Sequence, residues 1–175
     1  KRCETLGVAC EKILLPGDVT QDELLAVIDK VNNDDSIHGV LLFRPLPKHL
    51  DQATIENALA AEKDVDCMTD LSMSGVFTGK KIGFPPCTPQ ACMEILDFYG
   101  IDCTGKKAVV IGRSLVVGKP AAMMLIQKNA TVTVCHTRTV DMPSVTREAD
   151  IVIVAAGRAG VVGAEYVSAG QTVID

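Results

Sequence analysis

The chain has 175 residues, of which 47% are hydrophobic, enough apolar surface for one large or two small globular domains. Its net charge of -5 and pI near 5.2 argue against a nucleic-acid partner, because neutralising a phosphate backbone needs clustered Lys and Arg. Mean hydropathy is positive, but apolar runs such as residues 151–156 fall far short of the roughly 20 residues that cross a bilayer, so no membrane role is expected.

The seven cysteines are odd in number and never form a C-x-x-C pair, which suggests reduced, mostly buried thiols in a cytoplasmic protein rather than a disulfide framework or zinc site. Residues 1–6 are charged and lack the apolar stretch of a secretory signal. With no initiator Met, and with the last residue following the strand-like Thr172-Val173-Ile174, both ends read as cuts through structure.

In chain order, residues 8–15 are expected as a short strand closed by Pro16-Gly17-Asp18. Thr20 and Glu23 form a capping box for a helix whose apolar face carries Leu24, Leu25, Val27, Ile28 and Val31 and which stops at Asn32-Asn33-Asp34. Residues 39–43 are a continuous apolar run, expected as a strand buried on both faces and blocked from extension by Pro45 and Pro47. A second helix is expected over residues 51–61, then a loop-rich region over 65–86 without clear period. Thr88 is read as the N-cap of a linking helix with Pro89 at its first position, running to Gly100.

From Lys107 the alternation sharpens: strand 108–111, helix 120–128, strand 131–135, helix 145–149, strand 151–154. Alternating strands and helices imply a parallel sheet, so the fold class is α/β with two lobes and a cleft between them. The lobes are expected to divide as residues 1–87 and residues 88–175, the second a Rossmann-like parallel-sheet lobe.

The turn from Gly112 to Pro120 leaves a buried strand and opens a helix, the context in which a glycine-rich turn cradles a pyrophosphate. Gly112 permits the tight exit and Gly118 close backbone approach, while Arg113 is an expected phosphate partner. The spacing G-x-S-x-x-x-G departs from G-x-G-x-x-G, and the stretch fits neither a nucleophile elbow nor a P-loop. At the end of the second strand a ribose-binding carboxylate is usual, but this chain has Cys135-His136-Thr137-Arg138. Thr137 and Arg138 there favour a 2'-phosphate, hence NADP over NAD.

Three further segments, Phe43-Arg44-Pro45-Leu46-Pro47, Glu62-Lys63-Asp64-Val65-Asp66 and Pro85-Pro86-Cys87-Thr88-Pro89, join that turn in order along the chain. Together they resemble the bifunctional methylenetetrahydrofolate dehydrogenase/cyclohydrolase family, with its Gln-Leu-Pro-Leu-Pro, Lys-Asp-Val-Asp-Gly, Pro-Cys-Thr-Pro and Val-Ile-Gly-Arg-Ser-x-x-Val-Gly-x-Pro segments. The resemblance implies NADP-dependent oxidation of 5,10-methylenetetrahydrofolate, then hydrolysis to 10-formyltetrahydrofolate, in a homodimer formed through the nucleotide lobe. It implies a catalytic and pterin-binding role for Asp66, a substrate pocket shared with Phe43, Arg44 and Pro47, and cofactor contacts from Gly112, Arg113, Ser114, Gly118, Thr137 and Thr88.

This chain also departs from the family pattern. The family's catalytic Lys, in a Tyr-x-x-x-Lys helix, aligns two residues before Lys1. Its partner Gln aligns with Phe43, which cannot hydrogen-bond. Arg44 replaces a Leu and is expected to reach into the site, and Cys67 replaces a Gly beside Asp66. The expectation is therefore retained dehydrogenase activity with weak or absent cyclohydrolase activity. The competing readings are a non-catalytic NADP-binding module and a different two-lobe dehydrogenase. His38, His49 and His136 are read as surface or bystander residues, and no pair has metal-ligand spacing.

Overall fold

The computed structural model describes residues 2–175, leaving Lys1 outside. After a short helix α1 (Arg2–Thr5), residues 8–15 run as irregular chain and not as the expected strand. A strand needs a hydrogen-bonding neighbour, and among the described residues none pairs with this segment, whose Leu14 is 87% exposed.

Helix α2 (Gln21–Asn32) begins at the expected capping box: the Thr20 hydroxyl accepts from the Glu23 N–H at 3.3 Å, and Glu23 Oε2 accepts from the Thr20 N–H at 2.8 Å. Its buried Leu24 and Ile28 pack with Val19, Leu50, Ile55 and Leu59 into the core of the N-terminal half. Lys63 Nζ donates to the carbonyls of Val31, Asn32 and Asp34 at 2.8–2.9 Å, so this cation closes the helix C-terminus, where the dipole favours positive charge.

The expected strand 39–43 is reduced to one parallel bridge between Val40 and Asp64, and the next N–H on the partner side, that of Val65, donates back to the Lys63 carbonyl at 3.0 Å instead of extending a ladder. Helix α3 (Gln52–Ala58) is shorter than expected and gives way to a 3-10 turn, Ala61–Lys63. The stretch read as a loop contains α4 (Asp70–Thr78), N-capped by the Thr69 hydroxyl. Its buried face is Ser72, Gly75 and Val76, small or polar residues that leave no apolar stripe in the sequence. Helix α5 (Cys87–Phe98) starts two residues earlier than expected: Pro86 is its N-cap and Thr88 lies inside its first turn, so Thr88 does not cap.

The C-terminal half is a four-stranded parallel sheet, β1 (Lys107–Ile111), β2 (Thr131–Cys135), β3 (Ile151–Val154) and β4 (Thr172–Ile174), in the order β2-β1-β3-β4. Successive β1 residues face opposite sides: Ala108 and Val110 pack with Cys92, Met93 and Leu96 of α5 and with Ala121, Ala122 and Leu125. Val109 and Ile111 pack with Cys135, Ala149 and Val152 on the other face. Burial on both faces explains the unbroken apolar runs.

Helix α6 (Gly118–Gln127) begins two residues before its expected start, and α7 (Met142–Arg147) three before, the latter capped by Asp141, which supplies acceptors to Ser144. The Gln127 side chain on α6 donates to the Val76 carbonyl of α4 at 2.6 Å, joining the two halves.

Candidate active site

The chain reverses direction across the sheet between β1 and β3, since β2 lies to one side of β1 and β3 to the other. Ligands of parallel α/β sheets bind outside the strand carboxyl ends at such a point. The turn leaving β1 occupies it.

Gly112 has φ +127°, and a Cβ there would lie 2.4 Å from the Ala155 carbonyl oxygen at the end of β3. A Cβ on Gly118 would lie 2.2 Å from the Gly112 carbonyl oxygen. The turn is therefore folded on itself in a way only glycine permits at both positions. Ser114 Oγ accepts from the N–H groups of Val117 and Gly118 at 3.1 and 3.4 Å, capping α6 and leaving its own hydroxyl hydrogen free to donate. No hydrogen bond from the N–H of Arg113, Ser114, Leu115 or Val116 is present among the described residues. Four unmatched donors at the start of a helix form an anion cradle.

Across the β1–β2 pairing, the Gly112 N–H donates to the Cys135 carbonyl at 2.8 Å, which sets the end of β2 beside the cradle. There the His136 N–H donates to the Thr139 hydroxyl and the Arg138 N–H to His136 Nδ1, so His136 shapes the turn. Thr137 and Arg138 are exposed, and neither Arg113 nor Arg138 forms an ion pair among the described residues. Two unpaired guanidinium groups thus flank the cradle.

In the N-terminal half, the loop after the 3-10 turn is anchored by Asp64. Its carboxylate is fully enclosed and accepts from the N–H groups of Met68 and Thr69 at 3.0 and 2.8 Å. Burial works against its charge, but these bonds and the Thr69 and Ser72 hydroxyls outweigh burial and hold the pKa below the usual Asp value. Asp66, two residues on, has a different partner from the Lys63 beside it in sequence. Asp66 Oδ2 accepts from Arg44 Nη2 at 3.0 Å, while Arg44 Nη1 donates to Glu56 Oε1 at the same distance. Partial burial opposes the Arg44 charge, yet the two carboxylates more than offset it and raise its pKa further.

Phe43, Arg44, Gln52 and Asp66 line a cleft of about 500 Å³, and Val116 of the glycine turn lines it from the C-terminal half. The two sequence-derived sites therefore open on one space. Pro47 lies outside this wall, its carbonyl accepting from the Leu50 N–H, and Thr88 is exposed on α5 without a hydrogen bond to the turn. Gln52 and Glu56 were not legible as site residues. Their signal was the i, i+4 spacing on α3, where the Gln52 amide donates to Glu56 Oε1 at 2.8 Å, together with the need of Arg44 for an opposite charge.

Residues 1–66 match the catalytic domain of tetrahydrofolate dehydrogenase/cyclohydrolase, and residues 86–175 match the NAD(P)-binding domain of the same enzymes. The chain belongs to the tetrahydrofolate dehydrogenase/cyclohydrolase family. It is 48% identical over 174 residues to the bifunctional protein FolD of Alkaliphilus oremlandii, covering 99% of this chain and 61% of that protein. It is 50% identical over 175 residues to bifunctional protein FolD 1 of Desulfitobacterium hafniense, covering 62% of it. Among solved structures, the bifunctional FolD of Campylobacter jejuni superposes with a TM-score of 0.93 at 42% identity, over 99% of this chain and 61% of that one. The Trypanosoma brucei FolD, complexed with NADP cofactor and inhibitor, gives a TM-score of 0.88 at 33% identity, over 98% of this chain and 59% of that one. The chain thus spans about 61% of the length of the first of these relatives.

Within this family the departures at Phe43 and Cys67 have visible consequences. Phe43 is 81% exposed and presents an apolar ring to the cleft. Cys67 has φ +54°, the left-handed conformation that glycine adopts freely, so the backbone beside Asp66 keeps a glycine-like shape despite the side chain. Its thiol is buried, and burial with the neighbouring Asp64 and Asp66 charges pushes its pKa up to about 12, so it stays protonated.

Proposed function

We propose that this chain oxidises 5,10-methylenetetrahydrofolate to 5,10-methenyltetrahydrofolate with NADP. The observation that carries the reading is the glycine-built cradle, with four unmatched N–H donors, opening on the same cleft as the Arg44–Asp66 pair. The absence of a Cβ at Gly112 and Gly118 and the two unpaired guanidinium groups fit a dinucleotide with an additional phosphate. NADP, when bound, supplies the hydride acceptor.

The residues of the chain do the rest. The cradle N–H groups and Arg113 would hold the pyrophosphate, with the Ser114 hydroxyl as a further donor, and Arg138 with Thr137 would hold the 2'-phosphate. Asp66 accepts from pterin N–H donors and fixes the ring so that the one-carbon bridge faces the nicotinamide, where orientation contributes most of the rate. Removing hydride from a carbon between two nitrogens leaves a cation. Glu56 and Asp66 against Arg44 leave one net negative charge on the wall, which favours that cation as it develops.

Hydrolysis of the methenyl product is the second reaction, favoured by the bifunctional names of the relatives. Phe43 offers no hydrogen bond to water or to a catalytic amine, so this step is proposed to be the weaker one. Assaying NADPH formation and methenyl disappearance separately on the full-length protein tests both steps. Absence of folate-dependent NADPH formation refutes the dehydrogenase, and brisk methenyl hydrolysis refutes the weakened second step.

We also propose residues 1–87 as the folate lobe and 88–175 as the nucleotide lobe, a division supported by the packing of α5 with α6 and β1. A homodimer through the nucleotide lobe is proposed on the exposed edge position of β2. Cytoplasmic location is proposed on the thiols, four of them buried and all free; no helix among the described residues is long and apolar enough to cross a membrane.

A further inference from the structure

We infer that Arg44 is a positioning residue for folate specificity: held by Glu56 on one side, it grips one oxygen of Asp66 and leaves the other free for the substrate's N–H donors. The inference rests on the functional reading above.

A guanidinium has a rigid fork of donors, and here the fork spans two carboxylates on different elements, Glu56 on α3 and Asp66 on the loop after the 3-10 turn. Its side chain is 25% exposed, and those of Glu56 and Asp66 are 16% and 30% exposed, so the pair of bonds lies in a partly desolvated wall rather than in open water. Glu56 Oε1 also accepts from Gln52, making a chain of contacts from Gln52 through Glu56 and Arg44 to Asp66. Asp66 Oδ2 is the oxygen engaged by Arg44, and Oδ1 makes no hydrogen bond among the described residues. An Asp with no such anchor rotates freely about two side-chain bonds. Anchored through Oδ2, it presents Oδ1 in one orientation, and the ordering cost is met before the substrate arrives.

Charge excludes the simplest alternative role. An Arg that binds an anionic substrate tail needs uncompensated positive charge, whereas the Arg44 cluster carries a net negative charge. Arg44 therefore acts through Asp66 and not as an anion receptor of its own. It also takes the place of a leucine in the family pattern given above.

The test is steady-state kinetics on the full-length protein carrying Arg44→Leu, Arg44→Lys, Asp66→Asn and the Arg44→Leu/Asp66→Asn pair, with the melting temperature of each. Arg44→Leu is expected to raise KM for the folate roughly tenfold, in the range set by a lost charge-assisted hydrogen bond, and to leave KM for NADP unchanged. Arg44→Lys, which keeps the charge but not the fork, should recover part of the loss. In the Asp66→Asn background Arg44→Leu should add less than about twofold, since the two residues act as one unit. An unchanged folate KM in Arg44→Leu and Arg44→Lys overturns the inference. So does an equal rise in both KM values, which marks a structural role, or a double variant whose effects simply multiply. A wild-type protein that reduces no NADP in the presence of the folate overturns the functional reading, and this inference with it.

Discussion

A methyl group on Gly118 would stand 2.2 Å from the carbonyl oxygen of Gly112, so the strand exit and the helix entry of the glycine turn touch backbone to backbone. Neither end can yield independently. The Gly112 N–H is tied to Cys135 and Gly118 is buried at the first position of α6.

Gly118→Ala is accordingly expected to displace the cradle as well as to strain it. Overpacking of this kind costs about 1–3 kcal/mol, and the N–H groups of residues 113–116 move with the turn. The expected outcome is a lower melting temperature together with at least roughly tenfold weaker NADP binding, a factor that corresponds to about 1.4 kcal/mol. Calorimetric titration with NADP beside a thermal melt checks both.

Asp64 gives a prediction in pH. Its carboxylate is enclosed, and its pKa in the folded protein is held below the ordinary value of 3.8 despite burial. A depressed acid pKa contributes stability that is fully present above the unfolded value and is lost as pH falls through the folded value. The contribution of Asp64 should therefore be intact at neutral pH and disappear only below about pH 3.8. Asp64→Asn, which cannot accept at both oxygens, should be about 1–3 kcal/mol less stable at neutral pH. Its stability should also fall less steeply on acidification below pH 4 than that of the wild type. Urea titrations at a series of pH values measure the difference, and parallel acid limbs would exclude the assignment.

The same loop places Cys67 beyond the reach of thiol chemistry. With its pKa at about 12 and its side chain 4% exposed, it is neither ionised nor accessible near neutrality. Iodoacetamide at pH 8 should label the exposed Cys3, Cys10 and Cys87 and spare Cys67, Cys92, Cys103 and Cys135 in the native protein. Peptide mass mapping reads this directly. Cys67→Val should also destabilise by about 1–2 kcal/mol or more, because a β-branched residue is poorly tolerated at φ +54°.

The parts legible in the sequence were those whose cause is local. The Thr20–Glu23 capping box, the two-sided burial of β1 and the strand-turn-helix around Gly112 are each set within a few residues, and all appear as expected. The misses have non-local causes. Residues 8–15 have strand composition but no partner among the described residues, and α4 buries Ser72 and Gly75 against chain that no periodicity reveals. In the site, Asp66 and Arg44 were both singled out, but their pairing, and the part played by Glu56, depend on how α3 packs under the loop. Lys63, the cation nearest to Asp66 in sequence, is engaged instead with the end of α2.

Cofactor choice supplies the last test. At the end of β2 the Arg138 backbone is pinned to His136 Nδ1, while the residue is exposed and forms no ion pair among the described residues. A carboxylate at this place would accept from a ribose hydroxyl and repel a 2'-phosphate, whereas Arg138 does the reverse. Arg138→Ala removes the charge and leaves the backbone contact that shapes the turn. The loss should fall on the phosphate alone: KM for NADP rises roughly tenfold, as for one charge-assisted hydrogen bond, and KM for NAD changes little. Because exposed charges are screened, the wild-type preference for NADP should itself shrink between about 0.05 and 0.5 M salt, and the variant should show a flatter salt dependence. Equal losses for both cofactors would mean that Arg138 holds the turn rather than the phosphate, and the basis for NADP selection would then have to lie with Arg113 at the cradle.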